Sequence, residues 1–214
     1  MMPTPPSLTR RTLLAATSGL ALNSMVSPAL AQLARTPAQA EGPFYPVDKP
    51  VDQDADLARL GPDKPLASGE LILVEGRVLR PKGKPVQNAL VEIWQANSFG
   101  RYQDRRDGSG QPWDKNFQGY GKVRTGADGA YAFRTIRPAG YGFGFRRRTP
   151  HIHYRVSGDG FRRFTTQMYF AGVAENGRDS LLRRVTDKDR LIVDFKPGRY
   201  LDQPIQRGVF VIVI

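Results

Sequence analysis

Two histidines, His151 and His153, are the side chains of this sequence best suited to binding a metal ion. They are the only histidines among 214 residues, and they lie in a segment rich in β-branched and aromatic residues, which predicts a strand. Side chains two positions apart on a strand point to the same face, so both imidazoles can reach one ion. The spacing therefore predicts a metal site, although H-x-H also occurs as an ordinary pair of strand histidines.

Oxygen donors must complete such a site, because the sequence contains no cysteine. The lack of cysteine also excludes disulfides, cysteine nucleophiles and thiolate-bound zinc or iron–sulfur sites. Aspartate and glutamate are candidates, and so is tyrosine, whose phenolate is a hard anion that forms readily beside a highly charged ion such as Fe(III). Of eight tyrosines, Tyr131 has the alternating pattern of a core strand, and Tyr154 points away from the face of His153. Tyr102 and Tyr141 each follow a glycine closely in a predicted loop, where functional groups concentrate.

Short strands are expected to position these residues. The sequence has 22 glycines and 17 prolines, which favours many turns over a helical bundle. Runs of β-branched and aromatic residues between turn signals predict seven strands: Glu70–Leu79, Ala89–Gln95, Ala130–Ile136, His151–Ser157, Thr165–Phe170, Leu191–Phe195 and Val209–Ile214. This pattern predicts an all-β fold, a β-sandwich of short mixed or antiparallel strands with long loops. Gly76 indicates a bulge in the first strand, and Ser180–Lys188 is the helical candidate.

The chain divides into three predicted parts. Residues 1–31 combine the pair Arg10-Arg11, a short apolar stretch and small residues before Gln32, which is typical of a twin-arginine export signal. We therefore expect a periplasmic or secreted protein that is exported folded; an ordinary amphipathic helix is the alternative. The apolar stretch is shorter than the about 20 residues that span a bilayer, so no membrane span is expected. Residues 32–68 predict an extended arm, and residues 69–214 form the predicted β-sandwich domain.

The charge of the sequence is strongly basic, with 32 Lys and Arg against 20 Asp and Glu and a formal net charge of +12. Six arginines between Arg146 and Arg163 predict a basic surface near the histidines, which would attract an anionic substrate such as an aromatic carboxylate. Nucleic acid also binds basic surfaces that carry aromatic side chains, but export makes that partner a poor match, so we expect no nucleic acid. An interface with another subunit or with an anionic envelope surface stays open.

Seven short motifs occur in order along most of the chain. They are EGPFY at 41–45, VEIWQAN at 91–97, GRY at 100–102, YAFRTI at 131–136, PAGY at 138–141, RTPHIH at 148–153 and TQMYF at 166–170. Together they resemble the intradiol ring-cleavage dioxygenases, and within that family the protocatechuate 3,4-dioxygenase group and its iron-binding subunit. Each motif is modest alone, and their common order makes the resemblance specific.

The resemblance implies a non-haem Fe(III) site. In that family the ion is held by two tyrosines, two histidines and a hydroxide, and by motif the protein ligands fall on Tyr102, Tyr141, His151 and His153. Tyr141, on its glycine-rich loop, is also implied to leave the iron and act as a base when substrate binds, although Tyr102 is an alternative. Arg148 is implied to stabilise negative charge that develops on the substrate, and Gln167 to position a reacting group by hydrogen bonding.

The implied reaction cleaves a catechol-type ring with O2, between its two hydroxyl-bearing carbons, to a cis,cis-muconate-type product. Gly42 and Pro43 are implied to wall the substrate pocket, and we expect the chain to form an oligomer. The loop that follows Tyr141 looks shorter than in the protocatechuate enzymes, and Asp104-Arg105 stands near where that group often has Arg-His. Both differences concern the pocket, so the sequence does not choose among catechols.

Two other classes of protein stay open. A non-catalytic, transthyretin-like β-sandwich binding module shares the expected architecture, but it would need none of the four implied ligands. A periplasmic copper or zinc protein could use the H-x-H pair, since imidazole binds both metals well. It would leave the paired tyrosines without a role.

Overall fold

The computed structural model of the chain describes residues 32–214, so the predicted export signal at 1–31 lies outside the described residues. Its strands are β1 (Leu71–Leu79), β2 (Leu90–Trp94), β3 (Tyr120–Arg124), β4 (Ala130–Ile136), β5 (His151–Ser157), β6 (Phe164–Phe170), β7 (Ile192–Val193), β8 (Lys196–Tyr200), β9 (Gln203–Val209) and β10 (Ile212–Val213). Short 3-10 helices lie at Gly144–Arg146, Ala174–Gly177, Leu182–Arg184 and Lys188–Leu191. None of the helices in this part of the chain is long and apolar enough to cross a membrane. The all-β fold class is confirmed.

The strands form two mixed sheets that pack face to face around a common core. In the first sheet, β1 pairs antiparallel with β4 on one side and parallel with β9 and β10 on the other, and β8 pairs antiparallel with β9. The second sheet has the order β3-β2-β5-β6-β7, and its pairs are antiparallel except for β6 with β7. The predicted sandwich of mixed strands is therefore confirmed.

Strands rich in β-branched and aromatic residues are predicted most accurately, and β4 and β5 have the predicted bounds. The strands β3 (YGKVR), β8 (KPGRY) and β9 (QPIQRGV) are missed, because glycine, proline and charged residues in these segments are typical of turns. The segment Ser180–Lys188 forms the 3-10 helix Leu182–Arg184, not an α-helix. Gly76 forms no bulge against β4, since β1 and β4 stay in register across it. Its missing side chain instead lets the backbone oxygen of Phe210 approach.

Alternate residues of the central strands build much of the core between the sheets. In the second sheet these include Val91 and Ile93 of β2 and Ile152 and Tyr154 of β5, all fully buried. Tyr131 of β4 faces them from the first sheet, with its ring centroid 6.1 Å from that of Tyr154. The expectations that Tyr131 is a core residue and that Tyr154 points away from the face of His153 are both confirmed. The intervening residues of β2 and β5 point to the outer face of the second sheet.

The outer face of the second sheet is covered by the arm. The N–H of Gln39 donates to Thr165 O at 3.0 Å, and the hydroxyl of Thr166 donates to Pro37 O at 2.7 Å. Further along, the arm enters the core itself at Leu57. As a result β5 is buried on both faces, and the side chains that alternation places outside the core lie enclosed beneath the arm.

Candidate metal centre

Three side-chain atoms, two imidazole nitrogens and one phenol oxygen, converge on the outer face of β5. The Nε2 atoms of His151 and His153 lie 3.2 Å apart. The hydroxyl oxygen of Tyr102 lies 3.4 Å from the first and 3.2 Å from the second. The strand places both imidazoles on one face, and the loop after β2 brings Tyr102 to them through a bridge with Ala96. All three rings are buried.

The spacing of these atoms matches that of ligands on a single ion. Two atoms that each bind a metal at about 2.1 Å, at an angle of about 90–110°, lie about 3.0–3.4 Å apart. The three separations observed here are 3.2, 3.2 and 3.4 Å. Within residues 32–214, no group of three or more His, Cys, Asp or Glu side chains could hold a metal ion, so this centre depends on phenol oxygens. Imidazoles together with phenolates suit a hard ion such as Fe(III).

Tyr141 lies at the less buried side of this centre. Its ring centroid is 5.3 Å from that of Tyr102 and 5.5 Å from that of His151. The backbones of Tyr141 and Arg148 exchange two N–H···O hydrogen bonds, of 3.1 and 2.7 Å, which close the loop between them into a hairpin. The structure thus brings together the four side chains implied as ligands.

Burial keeps these four rings neutral. Burial and the charge of Arg148 lower the pKa of His151 to about 3. Burial, His151 and Arg148 lower the pKa of His153 well below its usual value. Burial and the neighbouring Tyr141 raise the pKa of Tyr102 well above its usual value, and burial raises the pKa of Tyr141 against the opposing charge of Arg148. Neutral imidazoles keep a lone pair for a metal, whereas the phenols need a nearby cation in order to ionise.

Arg148 is held beside the centre by three acceptors. Its Nε donates to Asp179 Oδ2 at 2.8 Å, and its Nη2 donates to Gln167 Oε1 at 2.7 Å and to the Tyr169 hydroxyl at 3.1 Å. Its side chain is only 11% exposed. Gln167 in turn donates from Nε2 to Ala40 O of the arm, at 2.8 Å. The structure therefore places Arg148 and Gln167, both singled out from the sequence, in one hydrogen-bond network.

Two members of this network, Asp179 and Tyr169, are not predicted from the sequence. Asp179 is buried; burial acts to raise the pKa of its carboxyl group, but the N–H of Leu182 and the charge of Arg148 outweigh burial and lower it. Tyr169 follows a predicted site residue by two positions on β6, so strand alternation could have identified it. Asp179 lies in a loop, 31 residues after Arg148, and leaves no comparable signal.

The motif EGPFY passes over the imidazole of His153. Gly42 has a φ of +73°, and a Cβ atom there would lie 3.3 Å from Cε1 of His153. Phe44 stacks on Tyr102 with ring centroids 4.6 Å apart. Gly42 and Pro43 are themselves exposed, so they lie between this part of the centre and solvent.

Both ends of this motif are anchored to the second sheet. Glu41 forms an ion pair with Arg155 of β5, whose guanidinium carbon lies 3.4 Å from the centroid of the Tyr45 ring. The Tyr45 hydroxyl donates to Glu92 of β2 at 2.9 Å, and Lys49 donates to the same carboxylate oxygen at 3.0 Å. The segment over His153 is therefore fixed on both sides.

The prediction of one basic surface between Arg146 and Arg163 is wrong. Arg148 and Arg155 are largely buried, and each pairs with a carboxylate. Arg162 is exposed, as is its neighbour Arg163, but both follow the far end of β5, about 20 Å from the start of that strand. Arg155, the arginine of β5, points outward and is covered by the arm, so the six arginines do not form a single field beside the centre.

Comparisons with known proteins agree on one family. The family model described as Dioxygenase matches residues 40–198. The chain is 43% identical over 152 residues to the protocatechuate 3,4-dioxygenase beta chain of Burkholderia cepacia, covering 68% of this chain and 64% of that relative. It is 37% identical over 174 residues to catechol 1,2-dioxygenase 1 of Acinetobacter lwoffii, covering 72% of this chain and 54% of that relative. The chain therefore spans less than two thirds of either relative.

A solved structure supports the same relationship. The dioxygenase domain of a dioxygenase carbohydrate-binding protein fusion from Streptomyces sp. SirexAA-E superposes on this chain with a TM-score of 0.62 and 30% sequence identity. The superposition covers 85% of this chain and 98% of that domain. The similarity thus extends over most of the fold described above, including both sheets.

Proposed function

The chain belongs to the intradiol ring-cleavage dioxygenase family, and we propose from that membership that it is an iron-dependent enzyme that opens a catechol-type ring. Cleavage falls between the two hydroxyl-bearing carbons, consumes O2 and gives a cis,cis-muconate-type product. The observation that carries the proposal is the convergence of the Tyr102 oxygen with two imidazole nitrogens within 3.4 Å, next to Tyr141. Neither a transthyretin-like binding module nor a copper or zinc protein requires two phenols at such a centre.

Four side chains hold the ferric ion in this proposal: Tyr102, Tyr141, His151 and His153. The bound ion supplies Lewis acidity that draws electron density from a catechol dianion. Burial raises the pKa of both phenols, so they would ionise only beside the charge of the bound cation. His151 donates its Nδ1–H to Thr149 O at 2.7 Å, which leaves the lone pair on Nε2 for the metal.

Proton removal from the substrate falls to Tyr141. A catechol must lose both hydroxyl protons to bind as a dianion, so its entry needs a base on the accessible side of the centre. Tyr141 is the less buried of the two phenols, and the hairpin holds it beside the positive charge of Arg148. That charge would help to stabilise the phenolate until the substrate arrives. One hydroxyl proton of the catechol would then move to the phenolate oxygen of Tyr141, and the other would pass to the hydroxide of the family's site, which would leave as water.

Arg148 stabilises the negative charge that develops on the ring during cleavage. Its guanidinium is already fixed by its hydrogen bonds to Asp179, Gln167 and Tyr169, so little reorganisation is needed when the charge appears. Gln167 has both ends of its amide engaged, with Arg148 on one side and the arm on the other. We therefore assign Gln167 the role of orienting Arg148 within the pocket.

The wall at Gly42 and Pro43 suits a flat aromatic substrate. A side chain at position 42 would crowd the edge of His153, and the left-handed backbone conformation there favours glycine. Because the wall is anchored at Glu41 and Tyr45, it is fixed before a substrate arrives, and little ordering of this segment would be required on binding.

Iron content, colour and product together test this function. After reconstitution, we expect one iron per chain, a visible phenolate-to-iron charge-transfer band, and uptake of one O2 for each catechol converted to an open-chain dicarboxylate. Catechol, protocatechuate and hydroxyquinol form the substrate panel. A colourless protein without iron would contradict the ligand set, and an iron-loaded protein that consumes no O2 with any diol would contradict the reaction. Binding of copper or zinc in place of iron would favour the metal-binding alternative.

We also propose that residues 1–31 direct export of the folded protein to the periplasm or medium, and that the exported chain forms an oligomer. N-terminal sequencing of the exported protein is expected to begin at Gln32. Changing Arg10 and Arg11 to lysine keeps the charge but removes the arginine pair, so the protein should stay in the cytoplasm. Unchanged export of this variant would contradict the twin-arginine route, and a monomer in light scattering would contradict the oligomer.

A further inference from the structure

The two histidines of the centre are held in different ways. His151 donates its Nδ1–H to the backbone oxygen of Thr149. His153 is equally buried, yet its Nδ1 has no hydrogen-bond partner among the residues that the structure describes. A metal-binding histidine almost always donates from its second ring nitrogen to an acceptor, which fixes the plane of the ring. Another contact must therefore fix the plane of His153.

Trp94 makes that contact. It is the direct cross-strand neighbour of His153 between β2 and β5. The indole and the imidazole are parallel to within 6°, with ring centroids 4.8 Å apart. Turning the imidazole out of its plane about the Cβ–Cγ bond would break this stack, and Gly42 lies against the Cε1 edge of the same ring. The Trp94 Nε1 also lacks a partner within the described residues, so the indole contributes its ring face and not a hydrogen bond.

The indole is braced in turn by the arm. The Tyr45 ring packs edge-on against it, with centroids 5.0 Å apart and an interplanar angle of 85°. The guanidinium carbon of Arg155 lies 5.9 Å from the indole centroid and close above the Tyr45 ring. Glu41 pairs with Arg155, and Glu92 accepts from Tyr45. The Tyr45 ring of the arm thus contacts the indole, and the indole contacts the imidazole, in one continuous series.

We propose that Trp94 is a positioning residue: its indole sets the plane of the His153 imidazole, and so the direction of the Nε2 lone pair, in place of a hydrogen bond donated by Nδ1–H. This inference rests on the proposed function, because it takes His153 as an iron ligand. It also makes the two histidines unequal. The carbonyl acceptor makes His151 the more basic donor, whereas the hold of His153 on the ion depends on packing.

Iron release from three variants tests the inference. Trp94→Met replaces the aromatic face with a smaller, flexible apolar chain, and Trp94→Phe keeps a smaller aromatic face. Phe133→Leu is the control, because it removes an equally buried ring from the core between the sheets, on the other side of β5 from His153. The measurement is the rate at which a chelator removes iron from the loaded full-length protein, with circular dichroism as the check on folding. We expect release about 10- to 100-fold faster for Trp94→Met, an intermediate rate for Trp94→Phe, and the wild-type rate for Phe133→Leu.

The outcomes separate this inference from the function on which it rests. Wild-type release in every folded Trp94 variant, or equal acceleration in Phe133→Leu, would overturn the role of Trp94 while leaving the iron centre in place. If Trp94→Met does not fold, the comparison of Trp94→Phe with the wild type decides. A wild-type protein that takes up no iron would overturn the proposed function itself, and the role of Trp94 with it.

Discussion

Replacing Tyr102 with phenylalanine is expected to abolish both iron binding and ring cleavage. The change removes one oxygen atom, the one that lies within 3.4 Å of both imidazole nitrogens, and it leaves the ring and its stack on Phe44 intact. Changing a residue that only hydrogen-bonds to a metal ligand typically lowers metal affinity by about 10- to 100-fold. Loss of a ligand itself should therefore lower the iron affinity by more than about 100-fold. Iron per chain after reconstitution and the intensity of the visible band measure the effect.

Tyr131→Phe is the matched control for this experiment. Tyr131 is also a buried tyrosine, but its hydroxyl donates to Phe210 O at 2.6 Å inside the sandwich. Losing that hydrogen bond should lower the free energy of unfolding by about 1 kcal/mol and leave the iron content unchanged. Full iron occupancy in Tyr102→Phe, or equal iron loss in both variants, would contradict the assignment of Tyr102 as a ligand.

Replacing Arg148 with glutamine is expected to lower kcat by about 100- to 1,000-fold while the iron stays bound. The guanidinium is the cation that the structure fixes beside the centre, and no ligand atom is removed by the change. Arg147→Gln removes the same charge from an exposed neighbour and should keep nearly all of the activity. An Arg148→Gln variant with wild-type kcat, or one that loses its iron, would contradict the proposed role.

The Asp179→Asn variant tests whether the Asp179 carboxylate positions the Arg148 guanidinium. The amide keeps the shape of the side chain but removes the charge that pairs with the Arg148 Nε at 2.8 Å. If Asp179 positions Arg148, kcat should fall by less than in Arg148→Gln, and combining the two changes should add little to the single Arg148 change. Independent, multiplicative losses in the double variant would instead indicate that Asp179 acts elsewhere.

The residues that hold the centre differ in how far the sequence can reveal them. His151 and His153 are found because two positions on one strand share a face, and that relation is local. Tyr102 and Tyr141 are narrowed down by their glycine-rich loops, but only the motifs pair them with the histidines. Asp179 meets its partner across 31 residues that include β5 and β6, and the periodicity of those strands does not predict a contact between the loops at their ends.

The same limit explains the error about the arginines. Alternation along β5 correctly places Arg155 on the face opposite the core, but it does not say what covers that face. The covering element is the arm, whose irregular sequence predicts an extended segment and gives no indication of where it docks. Because the arm supplies Glu41 as a partner for Arg155, a side chain expected on a basic surface is buried and paired.

The docking of the arm also has a consequence for the order in which the protein can fold. Thr166 and Pro37 are joined by a hydrogen bond that spans 129 residues of sequence, and Gln167 and Ala40 by one that spans 127. Contacts of such long range carry a large loop-closure cost and form slowly. During synthesis the arm leaves the ribosome before β5 and β6, so its docking site does not exist until those strands have been made and paired. The wall over His153 must therefore be among the last parts of the molecule to take its place, although it is encoded near the beginning.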